Sequence, residues 1–347
     1  MKFIHLSHTD LDGFSCHLLT KEYFKEGLFL NANYGLEVKL CLKKIVHEIS
    51  QNLEEETFVL ITDLNLTLQE AKDLDKNISA FNKNGANIKL QVLDHHVSGQ
   101  KAADKYDWYF LDISRCATKI VYDYICDELN GFEAEVNEWL EPLVNAINAI
   151  DIWLDDQVLN FEFGKVLLRL ISKATEINPV LFSEQNRAYR IYLLKEAAKF
   201  VGKTNGNILL DNEVHFIKKR YLQLDDRDDT IDNLSANRLV HILESQKENL
   251  TVMSKGHKGL LTFTLGSISI PANAFLKAND DYDFFIDIGR KGHTSFRADG
   301  KLDMNILANK IANGGGHPNA SGARFDDFKE TIHYSDVKKY MENKLKG

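Results

Sequence analysis

Four short groups of aspartate and histidine carry the residue types that do chemistry, and each follows an apolar run. The first, His8-Thr9-Asp10-Leu11-Asp12-Gly13, comes directly after Phe3–Ser7 and repeats a ligand type at every second residue. In extended chain alternate side chains share a face, so His8, Asp10 and Asp12 would converge, and Gly13 would let the backbone turn into a helix. The others are Asp63 after Phe58–Thr62, Asp94-His95-His96 after Ile88–Leu93, and Asp151 at the end of a helical run. Taken singly, a strand-end aspartate is an ordinary helix cap or turn former. Jointly, so many carboxylates at one sheet edge would repel one another strongly without cations. Asp10, Asp12, Asp63 and Asp151 bring four negative charges. Two divalent cations would balance them, with neutral His8 and His95 completing the coordination. A mixed carboxylate and imidazole set suits Mn²⁺ better than Ca²⁺, leaves Mg²⁺ or Co²⁺ open, and without a cysteine cluster is not structural zinc. Paired cations that acidify a water and screen an attacked phosphorus are the usual solution for phosphoester hydrolysis.

The elements that must position these groups alternate through residues 1–115. β-rich runs at Phe3–Ser7, Phe58–Thr62, Ile88–Leu93 and Trp108–Asp112 are separated by amphipathic patterns from about Phe14 and over Thr67–Asn84, with another at Ala117–Leu129. That grammar predicts an α/β domain with a mostly parallel sheet flanked by helices, whose ligands gather beyond the carboxyl ends of the strands. Helical periodicity then runs almost unbroken over residues 135–250. From about Lys255 glycine-punctuated β-like stretches return. Phe284–Ile288 and His293–Arg297 read as a hairpin closed by Gly289–Gly292, and a helix from Asp303 to Asn313 ends at Gly314-Gly315-Gly316. The expected division is a metal-binding domain over 1–180, a helical connector over 181–254 and a smaller α/β domain over 255–347. No internal repeat is present.

Composition narrows the class further. A chain of 347 residues with 44% apolar and 27% charged residues has material for more than one core and is not disordered. The start carries charge too early for a secretion signal, and no uncharged apolar run reaches the ~20 residues of a spanning helix, so a cytoplasmic location and no membrane partner are expected. Cys16, Cys41, Cys116 and Cys126 form no C-x-x-C pair and read as reduced thiols filling a core. The net charge of −9 argues against a grip on long nucleic acid. It is unevenly spread: residues 255–347 carry 14 basic against 11 acidic residues, a basic tail after an acidic body. A cation-binding centre and an anion-holding surface are the natural reading.

With Asp94-His95-His96 preceded by His8-Thr9-Asp10-Leu11-Asp12-Gly13 and Asp63, and followed by Asp151, the sequence resembles the DHH phosphoesterases over nearly its whole length. Gly314-Gly315-Gly316-His317-Pro318, followed by Ala320-Ser321-Gly322, is similar to the DHH-associated domain that ends such chains. The resemblance implies that His8, Asp10 and Asp63 hold one cation and that Asp12, Asp63, His95 and Asp151 hold the other, Asp63 bridging. It implies His96 beside the leaving group as acid or electrostatic stabiliser, with Asp94 orienting its neighbours. Arg297 and the Gly314, Gly315, Gly316 and His317 loop would hold a substrate phosphate, glycine amides approaching an anion closely. Arg115 is a further candidate facing the site. The chain departs from the family pattern at Ala298, where serine commonly follows the arginine, and at Asp151-Ile152-Trp153, where Asp-Thr-Gly is more usual. Trp153 either stacks a base or fills a core.

Relatives of this kind include single-strand exonucleases, nanoRNases, cyclic-dinucleotide phosphodiesterases and polyphosphate hydrolases. Length leaves no room for additional nucleic-acid-binding domains, and the charge disfavours long or duplex strands. The expected substrates are therefore short oligonucleotides (nanoRNA) or small nucleotides such as 3′-phosphoadenosine 5′-phosphate, hydrolysed by a two-metal-activated water. Cyclic dinucleotides or their linear products, and polyphosphate or pyrophosphate, are alternatives within enzymes; a nucleotide-binding regulator without turnover is the alternative outside them. Family relatives are often homodimers, and that association is open here.

Overall fold

Short runs of apolar and β-branched residues build the first sheet: β1 (Lys2–Ser7), β2 (Leu28–Asn31), β3 (Thr57–Thr62), β4 (Ile88–Asp94) and β5 (Tyr109–Leu111). All pair in parallel, in the order β2-β1-β3-β4-β5. A parallel sheet needs both faces covered. On one face Ile4, Leu6, Val59, Ile61 and Val92 share a core with α2 (Leu36–Ser50) and α3 (Leu68–Lys83), through Val38, Leu42, Ile45, Leu74 and Ile78. Alternate residues such as His5 and Thr62 point to the other face, where α1 (Leu11–Phe24) packs. The boundaries are chemical: Asp10 caps α1 through the Gly13 amide, and Thr67 and Glu70 form a reciprocal capping box on α3. After the short α4 (Gln100–Ala103) come α5 (Ala117–Glu128), α6 (Ala134–Asp151) and α7 (Val158–Ser172). Truncating a fully buried strand residue such as Ile61 would cost about 2–5 kcal/mol.

The computed structural model describes residues 1–331 and 333–346. Its chain forms two units, one from Met1–Ala174 with Arg187–Ile217, the other from Thr175–Asn186 with the chain from Lys218 onward. This differs from the three successive segments expected. The helical stretch over 181–254 does not stand as a connector: α8 (Ser183–Ala198) and α9 (Gly206–Leu222) each cross a unit boundary, whereas α10 (Ile231–Glu244) and α11 (Lys247–Leu250) belong wholly to the second unit. Helical periodicity marks an apolar stripe but not the core that receives it.

The second unit carries a mixed sheet in the order β10-β11-β9-β8-β7-β6. Its strands are β6 (Thr251–Ser254), β7 (His257–Phe263), β8 (Phe284–Ile288), β9 (His293–Ala298), β10 (Gly315–His317) and β11 (Ala320–Arg324), with α12 (Ser269–Ala278), α13 (Met304–Ala312) and α14 (Tyr334–Lys346). The β8–β9 hairpin closes at Gly289–Gly292 as expected, and α13 ends in a left-handed Asn313 immediately before the triple glycine. Its core gathers Leu261, Phe263, Phe284, Ile286 and Phe296 with Met304 and Met341. Of the cysteines, Cys16 and Cys116 are buried and Cys41 partly so, but Cys126 is exposed, which corrects the core reading for that thiol. Among the described residues, no helix is long and apolar enough to cross a membrane.

Candidate active site

From β1 the chain turns to β2 on one side and later reaches β3 on the other, so a crevice opens beyond the carboxyl ends of β1 and β3. His8 follows β1, Asp63 follows β3, and Asp94 ends β4 with His95 and His96 beyond it. Asp151 arrives from the last residue of α6. The alternation expected for the first group is broken, because the helix begins at Leu11 rather than near Phe14. Asp10 is the cap residue, and Asp12 lies in the first helical turn, where it meets a different set of partners. Gly13 is required for close approach rather than for a turn: a Cβ there would stand 2.4 Å from the His8 carbonyl oxygen.

His95 Nε2 stands 3.3 Å from Asp63 Oδ1 and 3.6 Å from both Asp12 Oδ2 and Asp151 Oδ2. Donor atoms bound at about 2.1 Å to one cation lie roughly 3 Å apart, so this grouping is close to coordination spacing. On the other side His8 Nδ1 is 2.8 Å from Asp10 Oδ2 and 3.7 Å from Asp63 Oδ2. The two Asp63 oxygens thus face two ligand groups. His8, Asp10 and Asp63 could hold one ion and Asp12, His95 and Asp151 another, the ligand atoms of each group lying within 4.8 Å of one another. Asp12 is anchored by amides at the start of α5: Thr118 N donates to Oδ1 at 2.7 Å and Ala117 N to Oδ2 at 2.8 Å. A helix N-terminus favours that negative charge.

The electrostatics fit cations at this place. Asp63 is buried, and among the described residues its Oδ2 has no hydrogen-bond partner. Burial first, then the charges of Asp12 and Asp10, push its carboxyl well above the usual range; the same causes bring Asp151 up to about 9. Such groups bind either a proton or a metal. Asp63 also sits at φ +55, a left-handed backbone that a side chain disfavours and that functional sites often store. The adjacent histidines are driven apart. Burial lowers His95, outweighing the opposite pull of Asp12, which keeps a lone pair free for coordination. Burial would lower His96 too, but the hydrogen bond and charge of Asp94 overcome it and hold that ring above its ordinary value. Opposite shifts on neighbouring groups mark different roles.

Asp94 lies just outside the cluster and is fully buried. Its Oδ1 accepts from His96 Nδ1 at 2.8 Å and its Oδ2 from the Tyr109 hydroxyl at 2.7 Å. Gly99 leaves the space for that contact, since a Cβ there would be 2.3 Å from the Tyr109 oxygen. Reading the sequence missed four supporting residues. Tyr34, half exposed, places its hydroxyl 3.4 Å from His96 Nε2 and its ring beside His8. Arg187, buried in α8, donates to Asn31 Oδ1 at 2.9 Å, and Asn31 Nδ2 donates to the His8 carbonyl at 2.8 Å. Tyr109 is the fourth. A buried arginine on a helix and a tyrosine just past a strand were the available signals, and neither names its partner.

The Arg115 guanidinium pairs with Asp112 and Asp123. The remaining candidates lie in the second unit. Arg297 on β9 pairs in register with Ala320 on β11, which pairs with His317 on β10. Directly opposed residues share a face, so Arg297 and His317 flank a small alanine on one face of the sheet. Two of the three glycines have steric reasons of their own. A Cβ on Gly314 would stand 2.4 Å from the Gly322 oxygen and one on Gly316 2.6 Å from the Ala320 oxygen, whereas one on Gly315 would make only an ordinary contact, 3.6 Å from Asn305 Oδ1.

A two-sided cluster of carboxylates and imidazoles at the switch point of a parallel sheet, with a protonated-leaning histidine beside it, has the residues that could hold cations. No protein-family model matches the chain. Over 342 residues, 99% of this chain and 98% of the relative, it is 42% identical to the 3′,5′-cyclic-nucleotide phosphodiesterase of Helicobacter pylori strain ATCC 700392 / 26695. A crystal structure of an uncharacterized protein from Helicobacter pylori G27, also 42% identical, matches with a TM-score of 0.94 over 99% of both chains. Oligoribonuclease NrnB of Bacillus subtilis is 21% identical over 329 residues, 92% of this chain and 72% of that protein. The chain belongs to the DHH phosphoesterase family and is a hydrolase of phosphate esters.

Proposed function

We propose that this chain is a divalent-cation-dependent phosphodiesterase acting in the cytoplasm on short oligonucleotides and small nucleotides, 3′-phosphoadenosine 5′-phosphate among them. The observation that carries this reading is His95 Nε2 within 3.6 Å of three carboxylates, one of which, Asp63, also faces His8. His8, Asp10 and Asp63 would hold one ion, and Asp12, Asp63, His95 and Asp151 the other. When bound, such a pair, Mn²⁺ in our reading, acidifies water and neutralises charge on the attacked phosphate.

The protein's own groups do the rest. His96 donates its Nδ1 proton to Asp94, whose charge favours the doubly protonated ring, and in that imidazolium Nε2 carries the second proton, the one offered to the departing oxygen. Asp94 keeps that ring in place and is itself kept in place by Tyr109. In the second unit Arg297 and His317, beside the exposed Gly315, would hold a substrate phosphate by charge-assisted hydrogen bonds.

A second reading is hydrolysis of 3′,5′-cyclic mononucleotides, favoured by the name of the 42% identical relative. One panel separates the readings. Catalytic efficiency with Mn²⁺, Mg²⁺ and Co²⁺ is measured on di- to pentanucleotides of RNA and DNA, adenosine bisphosphate, cyclic mononucleotides, cyclic dinucleotides and polyphosphate. The first reading expects the short linear nucleotides to lead. Dominance of cyclic mononucleotides would replace it with the second, and binding without release of product from any compound would make the protein a regulator.

A further inference from the structure

Two residues beyond Asp151, the end of α6 presents a tryptophan to solvent. Leu154 N donates to the Ala149 carbonyl at 2.7 Å across this end, and Trp153 sits between them at φ +62. That six-to-one bond with a left-handed residue inside it is a Schellman cap, and its left-handed position is normally filled by glycine because a Cβ is disfavoured there. The chain accepts that strain and places its largest side-chain type at the position, 66% exposed. Packing does not repay either cost. Among the described residues its ring meets Phe161 edge-on, at 5.3 Å and 85°, and stacks on no ring of the chain.

Position supplies the missing reason. The Asp151 carboxylate is 3.6 Å from His95 Nε2 and therefore part of the ligand cluster. Two residues of chain span at most about 7 Å, comparable to the separation between a nucleotide's phosphorus and its base. Aromatic side chains beside a phosphate-handling site are tolerant platforms for bases, every base having a π-face. We propose that Trp153 is a substrate-specificity residue that stacks on the base adjoining the attacked phosphate, so that the preferred substrates are phosphodiesters carrying an intact nucleobase. This rests on the phosphodiesterase reading above. Val158 and Leu159 at the start of α7 are exposed as well, so a second copy of the chain is the competing occupant of this face.

The test uses the full-length protein with Mn²⁺, and compares a diadenylate with a dinucleotide of the same charge whose base on the scissile side is removed. Trp153→Gly suits the left-handed backbone and removes only the ring, so its thermal unfolding should not fall below that of the parent. The expected result is a KM for the diadenylate raised about tenfold, with a much smaller change for the abasic compound, kcat held within about twofold, and substantial rescue by Trp153→Tyr. Equal changes for the two compounds would overturn the proposal. So would loss of a dimer, seen by sedimentation, with KM unmoved, which would make the face an interface between copies. If neither compound is turned over, the phosphodiesterase reading has failed instead. Titration with adenosine 5′-monophosphate then still decides: quenching of indole fluorescence that disappears in Trp153→Gly supports the platform, and no quenching in the parent overturns it.

Discussion

The ligand cluster of the first unit and the glycine hairpin of the second handle charge in opposite ways. In the cluster Asp12 and Asp63 are all but sealed from water, as is Asp94 just outside it, and Asp63 keeps an oxygen that no hydrogen bond satisfies among the described residues. In the hairpin Gly315, Gly316 and His317 are exposed, and Arg297 is already held, donating to the Phe296 carbonyl at 2.8 Å and the Ser269 hydroxyl at 3.1 Å. A buried region with unmet electrostatic demand is completed by something that stays, and an exposed one with modest demand by something that comes and goes. Under the proposed function the first would hold a resident ion and the second a passing phosphate.

The sharpest way to break the comparison is Asp63→Asn. Its loss as a shared ligand should lower kcat/KM by about a thousandfold or more, read from product release with Mn²⁺. In chelator-treated protein the same change should raise stability by about 1–3 kcal/mol, since it removes a repelled, unpaired buried carboxylate, and denaturant melts would show it. A variant less stable without metal would mean the cluster is satisfied internally after all. The hairpin should respond differently. Arg297→Ala is expected to raise KM by about 10- to 100-fold, the range of a lost charge-assisted hydrogen bond. Mn²⁺ affinity by calorimetry should be unmoved; a loss of metal binding would erase the division of labour between the two regions.

A smaller effect probes the buried polar layer behind the cluster. His17 is enclosed, neither ring nitrogen finding a hydrogen bond among the described residues, and burial first, then the neighbouring His5 and Arg187, hold it well below its ordinary pKa. The unfolded chain takes up a proton there below about pH 6.5 while the folded chain does not, so stability is lost as pH falls through that value. His17→Leu removes this term. The variant should gain about 2 kcal/mol on the parent at pH 5 relative to pH 7.5, measured by urea unfolding at both values. An unchanged difference would show that the folded protein protonates His17.

Much of this was legible in the sequence because the strongest signals are local. The apolar runs before Asp63 and Asp94 gave β3 and β4 nearly to the residue, and the amphipathic pattern over Thr67–Asn84 gave α3. What stayed hidden depends on contacts far apart in the chain. β2 is only four residues long, and its Asn31 acquires meaning through Arg187, which lies 156 positions away. Tyr34 matters because of His96, and no spacing rule relates them. Asp10 was readable both as an ordinary cap and as a metal ligand. Its oxygens divide the work, Oδ1 accepting from Gly13 and Oδ2 facing His8, so the two readings do not compete.

The path of the backbone between the units restricts how such a protein can be taken apart. The chain passes from the first unit to the second near residue 174, returns near 187 and leaves again near 217. Neither unit is a contiguous cassette. A shuffled gene with a single junction would hand one partner a foreign strip, and exchange of either half calls for matched cuts at all three crossings.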